Sequence, residues 1–219
     1  MMDNLNHLLL ANQTWAASKL EGDPEYFSRL AAQQKPEILW IGCSDSRVPA
    51  NEIVNLPPGE IFVQRNIANQ VMHTDINCLS VVQYAIDILQ VKHVIVAGHY
   101  GCGGVQAALT NEEYGIVDNW LRSIKDLYAR HEPDLKGLPE QKLLDRMCEL
   151  NVAEQVNNLA KTKAVQRAWA REQELHLHGW IYAIQDGILQ DLDVTQSGAA
   201  ALPAIYHMNT PDNPMKTGG

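Results

Sequence analysis

Two short apolar segments of this chain each end in a polar loop that carries a cysteine. Residues 38–41 (Ile-Leu-Trp-Ile) lead into residues 42–47 (Gly-Cys-Ser-Asp-Ser-Arg), and residues 94–97 (Val-Ile-Val-Ala) lead into residues 98–102 (Gly-His-Tyr-Gly-Cys). Such short apolar runs are typical of buried parallel strands. Between them, residues 75–90 carry apolar side chains at helical spacing. The pattern predicts a βαβ unit with both polar loops at the carboxyl edge of one sheet, where sites form in open α/β folds.

The remaining segments extend this unit to an α/β fold. We predict a central, mostly parallel sheet of about four to five strands flanked by helices, with an N-terminal helical arm over about residues 1–34. Asp23-Pro24 predicts the start of the second helix of that arm. The other predicted elements are helices at 3–18, 24–34, 118–130 and 150–171, a strand at 61–63, a charged loop at 131–137, and a hairpin of residues 176–184 and 188–192 with a type I′ turn at Asp186-Gly187. Residues 1–207 are expected to form a single domain, and 208–219 a disordered tail.

Composition and charge exclude several classes of protein. The 219 residues carry a net charge of −9, whereas a nucleic-acid binder usually presents a basic face. No stretch approaches the roughly 18 consecutive apolar residues of a membrane span. The first residues lack the basic and apolar regions of a secretory signal, so a cytoplasmic location is expected. Four cysteines are too few for a disulfide scaffold, and metal binding is the better interpretation in a reducing compartment.

Cys43, His99 and Cys102 are the candidate metal ligands. Two thiolates and one imidazole suit zinc, and they leave a fourth position open, as a catalytic site requires. Each residue alone would more often be an ordinary core residue. Cys78 and Cys148 lie in apolar helical stretches and are expected to be core residues. Nothing in the sequence places His73 or His93 near the metal, and the local side chain that could fill the fourth position is Asp45.

These motifs resemble those of the β-class carbonic anhydrases. The resemblance rests on Cys43-Ser44-Asp45-Ser46-Arg47 followed by His99-x-x-Cys102-Gly103-Gly104, and it extends over about residues 3–195. It implies one zinc ion per subunit and reversible hydration of carbon dioxide to bicarbonate and a proton, through a zinc-bound hydroxide. Asp45 would accept a hydrogen bond from that hydroxide, and Arg47 would hold the Asp45 carboxylate off the metal.

The resemblance also implies two further sets of residues. Phe62, Ile67 and Tyr84 match an apolar substrate pocket that a neighbouring subunit completes, and Gln34 matches a substrate-binding amide; a homodimer or a dimer of dimers follows. Trp40, Arg65 and Tyr182 match a non-catalytic bicarbonate pocket of one bacterial subgroup. In that subgroup, bicarbonate or low pH moves the aspartate corresponding to Asp45 onto zinc. Gln64 stands where many relatives have histidine, and a glutamine cannot titrate.

Three alternative functions predict different features of the site. A hydrolase on the same fold would act on carbon disulfide or carbonyl sulfide, but the Asp45-Arg47 pair favours carbon dioxide. In a non-enzymatic interaction domain that carries zinc, a protein ligand would fill the fourth coordination position. Such a domain would not need the Asp45-Arg47 pair. A nucleotide-binding loop at residues 98–104 is disfavoured, because the glycines lack the G-x-G-x-x-G order.

Overall fold

The computed structural model describes residues 5–32 and 35–208, which fall in two compact units, Met1–Lys35 and Pro36–Gly219. The first unit contains two helices, α1 (Asn6–Gly22) and α2 (Tyr26–Ala32). The second helix begins two residues after Pro24 rather than at it. The Asp23 carboxylate nevertheless accepts a hydrogen bond from the backbone N–H of Glu25 at 3.1 Å, so it closes the turn that leads into α2.

The second unit is built on a five-stranded sheet of order β2-β1-β3-β4-β5. The first four strands of this order are parallel, and β5 joins β4 antiparallel, which confirms the predicted mostly parallel sheet. β1 and β3 are neighbours near the centre, so their carboxyl ends lie side by side. The strands are β1 (Ile38–Cys43), β2 (Ile61–Asn66), β3 (His93–His99), β4 (His176–Tyr182) and β5 (Leu189–Asp191).

Alternate residues of the central strands enter different hydrophobic clusters. Leu39 and Ile41 join the largest cluster, to which the helices over one face of the sheet also contribute, while Trp40 and Ile95 join a smaller cluster on the other face. Strands buried on both faces explain why the sequence shows continuous apolar runs rather than alternation. The helices of this unit are α3 (Ala50–Ile53), α4 (Ile76–Gln83), α5 (Gly103–Ala108), α6 (Ile116–Leu135), α7 (Glu140–Ala160) and α8 (Lys163–Ala170).

Several sequence-based boundaries are wrong, and in four places the difference changes an element. The helix predicted over 75–90 changes at Tyr84 into a π-helical turn, in which Leu89 N–H bonds to the Tyr84 carbonyl at 3.0 Å. The helix predicted over 150–171 is instead the second half of α7, which begins at Glu140, followed by α8, which the Thr162 side chain caps. The predicted loop at 131–137 is helical to Leu135, and α6 includes Pro133 in its last turn. The predicted β4–β5 hairpin is present. Its two strands are connected by residues 183–188, and not by a two-residue type I′ turn.

Two other expectations concern the ends of the chain and the membrane. Within residues 5–32 and 35–208, no helix combines the length and apolar character that crossing a bilayer requires. The predicted disordered tail lies, apart from Met208, outside the described residues.

Candidate metal centre

The three predicted ligands meet at the carboxyl edge of the central strands. Cys43 is the last residue of β1 and His99 the last of β3, and Cys102 immediately precedes α5. One ligand atom from each lies within 4.8 Å of the others, and all three residues are buried. The adjacency of β1 and β3 therefore brings together residues that are 59 positions apart in the sequence.

The donor set fits a tetrahedral zinc ion. The Cys43 and Cys102 Sγ atoms are 3.7 Å apart. Two thiolates on one zinc, at Zn–S distances of about 2.3 Å, would be separated by roughly 3.8 Å. His99 Nδ1 lies 3.0 Å from the Tyr100 carbonyl oxygen, which fixes the ring and makes Nε2 the free nitrogen. Nε2 is buried and has no hydrogen-bond partner among the described residues, as expected of a metal-binding nitrogen.

The electrostatics of the two thiols differ from those of the other cysteines. Hydrogen bonding from the Cys102 thiol lowers the pKa of Cys43, and the backbone N–H groups of Asp45 and Ala68, each 3.3 Å from its sulfur, act in the same direction. The same contact with Cys43 raises the pKa of Cys102, and burial adds to this, so one thiolate forms before the other. Cys78 and Cys148 are buried, as predicted, and burial raises the pKa of each to about 12.

Buried side-chain amides of α7 hold the backbone around Ala68, whose N–H donates a hydrogen bond to the Cys43 sulfur. Ala68 has a φ of 62°, in the left-handed region that a residue with a Cβ rarely adopts. The Asn151 amide of α7 donates to the Ala68 carbonyl at 2.9 Å, and Gln155 donates to the Asn151 side-chain oxygen at 3.0 Å. The Gln155 oxygen accepts from Val71 N–H at 2.8 Å. Sequence reasoning missed this role of Ala68; two amides four residues apart on the apolar side of a predicted helix were the available signal.

Asp45 and Arg47 stand beside the ligands, with the carboxylate held at both oxygens. Asp45 Oδ1 lies 3.3 Å from Arg47 Nη2, and Oδ2 accepts from Gly103 N–H at 3.2 Å. Arg47 has a φ of 59°, a strained conformation often found at functional sites. Within the described ranges, the ligand cluster contains neither Asp45 nor the two histidines considered in the sequence, His73 and His93.

Arg65 and Tyr182 both contact Ser46, which lies in the loop that carries Asp45. The Arg65 guanidinium donates to the Cys43 carbonyl at 2.7 and 3.0 Å and to the Ser46 hydroxyl. The Tyr182 hydroxyl donates to the Ser46 carbonyl. Trp40, the third residue of the predicted bicarbonate pocket, is buried and packs edge-to-face on Trp180, with ring centroids 6.4 Å apart.

The residues matched to a substrate pocket are only partly brought together. The Phe62 and Tyr84 rings lie 5.8 Å apart, and Tyr84 begins the π-helical turn. Ile67 lies closer to the metal centre: a Cβ added to Gly104 would come within 2.7 Å of its Cγ2 atom, so this approach requires glycine. Gln34 lies outside the described residues. Gln64 is buried and donates to the Asn77 side chain at 3.0 Å.

Comparison with known proteins assigns the chain to one family of enzymes. Residues 38–189 match the family model described as carbonic anhydrase. A carbonic anhydrase of Emericella nidulans is 48% identical over 200 residues, which are 90% of this chain and 88% of that protein. The chain belongs to the β-class carbonic anhydrase family.

Solved structures show the same similarity. A β-carbonic anhydrase of Coccomyxa superposes with a TM-score of 0.86 at 40% identity, over 90% of each chain. A structure from a study of two tetrameric β-carbonic anhydrases of Sordaria macrospora superposes with a TM-score of 0.84 at 38% identity, covering 89% of this chain and all of the other. The predicted fold class is thereby confirmed.

Proposed function

We propose that this protein catalyses the reversible hydration of carbon dioxide to bicarbonate. The observation that carries the proposal is the convergence of two buried thiols and an unpartnered His99 Nε2, beside an Asp45 carboxylate anchored at both oxygens. Family membership supports it, since the relatives are named carbonic anhydrases. A purely structural zinc site would have no use for a carboxylate held next to three ligands.

Cys43, His99 and Cys102 would hold the zinc. A zinc ion bound by three protein ligands supplies Lewis acidity that activates a water molecule near neutral pH. Asp45 would then accept a hydrogen bond from that water and orient it toward carbon dioxide. Arg47 and the Gly103 N–H would keep the carboxylate in position for this role rather than on the metal. In the described conformation Asp45 is thus available as an acceptor.

The substrate pocket and the assembly form a second part of the proposal. Carbon dioxide is small and without a net dipole, so an apolar pocket suits it. Ile67 and Tyr84 are large apolar residues that are 40% and 43% exposed in the single chain. We propose that a second copy of the chain covers these residues and Phe62 in a dimer or a dimer of dimers, and that Gln34 contributes an amide.

Hydration kinetics test the function directly. On protein loaded with one zinc per chain, stopped-flow measurement should show a hydration rate that rises steeply from pH 6.5 to 9. The sign follows because the reactive form of the metal-activated water is the deprotonated one, which increases with pH. Hydrolysis of carbon disulfide or carbonyl sulfide without carbon dioxide hydration would favour the related hydrolase. No turnover of any of the three by zinc-loaded protein would favour an interaction domain.

We further propose that bicarbonate and low pH inhibit the enzyme through the Asp45 loop. Arg65 and Tyr182 both bond to Ser46, so an oxyanion that recruits the Arg65 guanidinium would compete with the contacts that hold residues 43–47. Release of the loop would let Asp45 leave Arg47 and occupy the fourth position on the metal. Such inhibition requires only that bicarbonate bind the released state better than the described one.

Replacement of Arg65 should remove the response to added bicarbonate, and it should also lower the basal hydration rate because the Arg65 contacts to Cys43 and Ser46 hold the Asp45 loop. We expect Arg65→Ala to retain zinc and to lose most of the inhibition that added bicarbonate causes in the wild type, because the anion's guanidinium partner is gone. Initial hydration rates over a range of bicarbonate concentrations, with zinc content measured in parallel, check this. Arg122→Ala, at an exposed position of α6, is the matched control. Unchanged inhibition in Arg65→Ala would remove this pocket from the proposal.

A further inference from the structure

Three histidines lie together at the end of the sheet opposite the metal centre. His93 is the first residue of β3 and His176 the first of β4, and the two are partners in the parallel register. His178 lies two residues further along β4, so its side chain emerges on the same face as that of His176. His93 and the ligand His99 are six residues apart on one strand, or about 20 Å. This histidine patch (His93, His176 and His178) is therefore separate from the catalytic centre.

Two residues of the patch, His93 and His178, have the spacing of imidazoles around one metal ion. His93 Nδ1 and His178 Nε2 are 3.1 Å apart. Nitrogens bound to one tetrahedral zinc at about 2.05 Å would be roughly 3.3 Å apart, with ring centroids about 5 Å apart. The ring centroid of His93 lies 5.3 Å from that of His178 and 5.5 Å from that of His176, and those of His176 and His178 are 6.3 Å apart. The three residues do not place one nitrogen each within 4.8 Å of the others, so the His176 ring, the most distant of the three, must move toward the other two to complete the site.

Hydrogen bonds on the outer side of the patch suit metal ligation. His178 Nδ1 lies 3.2 Å from the Thr195 hydroxyl, and His176 Nδ1 lies 2.8 Å from the Ser197 hydroxyl. A histidine that binds a metal through one nitrogen usually hydrogen-bonds through the other, which fixes the tautomer and the ring orientation. In both residues the hydroxyl engages Nδ1, so Nε2 is the nitrogen available to a metal. In His178 this nitrogen is hydrogen-bonded to His93 Nδ1, and a metal ion would replace the shared proton.

Charge around the patch also suits a cation. Burial lowers the pKa of His93 and of His178, and neighbouring imidazoles act in the same direction, so both rings favour the neutral form that binds metals. The Glu174 carboxylate lies 3.8 Å from His176 Nε2, within reach of a fourth coordination position. Lys92, the nearby cation, is paired with Glu37 at 2.7 Å.

We infer that His93, His176 and His178, with Glu174 as an available fourth ligand, form a second site for a divalent transition-metal ion. Imidazole is a preferred ligand of Zn²⁺, Ni²⁺ and Cu²⁺, whereas Mg²⁺ and Ca²⁺ require oxygen ligands, so the site would select the first group. The site needs no thiolate, which distinguishes its chemistry from that of the Cys43 centre.

Nickel binding to the zinc-loaded protein tests the inference. After equilibrium dialysis against nickel chloride at pH 7.5, with both metals counted by emission spectroscopy, the wild type should bind one Ni²⁺ per chain and keep its zinc. His178→Ala and His176→Gln should each weaken nickel binding by at least about tenfold. His131→Ala, on α6 and away from the patch, should bind nickel as the wild type does.

The two patch variants protect the test against misfolding. His176 begins its strand and is partly exposed, so His176→Gln should keep the wild-type thermal unfolding midpoint even if His178→Ala does not. Wild-type protein that binds no nickel at micromolar concentrations would overturn the inference. So would patch variants that bind nickel like the wild type, or nickel uptake matched by an equal loss of zinc.

Discussion

Replacing Asp45 by asparagine should lower the turnover number for carbon dioxide hydration by about 10²- to 10⁴-fold while zinc remains bound. The carboxylate accepts from Arg47 and Gly103 in the described conformation, and a carboxylate can accept further hydrogen bonds. An amide of the same shape has only one acceptor oxygen, and its NH₂ group would face the Arg47 or Gly103 donor or the activated water. The donors that orient the side chain would then conflict with its role toward substrate.

Turnover and metal content must be measured on the same samples. Stopped-flow hydration at pH 8.5, with zinc counted per chain, separates loss of chemistry from loss of metal. Asp134→Asn, at an exposed position of α6, is the control and should keep full activity. Arg47→Ala should share part of the defect of Asp45→Asn, because it frees the carboxylate to approach the metal. Full activity in Asp45→Asn with bound zinc would remove Asp45 from the proposed mechanism.

Replacing Cys102 by serine should abolish both zinc binding and hydration. Its sulfur is 3.7 Å from that of Cys43, and a serine hydroxyl is neither long enough nor acidic enough to take the place of a thiolate. Zinc affinity should fall by more than 10³-fold, because one of three charged or basic ligands is lost. Competition with a chromophoric chelator measures this affinity, and the hydration assay should show only the uncatalysed rate.

The chain provides a matched control in Cys78→Ala. Cys78 is equally buried, but it lies on α4 and packs in the largest hydrophobic cluster, and burial raises the pKa of its thiol to about 12. Its replacement should lower the free energy of unfolding while leaving zinc affinity within about twofold of the wild type. Retention of tight zinc binding by Cys102→Ser, or its loss in Cys78→Ala, would contradict the assignment of the ligands.

The fold and the ligand loops could be predicted because both depend on local patterns. Apolar runs at residues 38–41 and 94–97 mark buried strands, and Cys43 and His99 follow directly at their carboxyl ends. Parallel pairing of adjacent strands then brings these residues together without further information.

Other features depend on contacts that the sequence does not display. The π-helical turn at Tyr84 changes a backbone hydrogen bond without disturbing the apolar spacing of residues 75–90. Ala68 adopts a left-handed conformation although it is not a glycine, so the sequence does not predict it. The conformation is held because Asn151 and Cys43 bond to the Ala68 backbone from distant segments. Proline usually ends a helix, but at Pro133 α6 continues for two residues to Leu135.

The position of the metal centre between β1 and β3 links metal uptake to folding. The two strands are central partners in a parallel sheet, and parallel pairing is non-local and slow to form. An unfolded chain therefore has no preformed ligand set, and a zinc ion held as proposed would stabilise the assembled sheet. The amides of β1 and β3 should be among the slowest to exchange with solvent, and their protection should decrease when a chelator removes the metal.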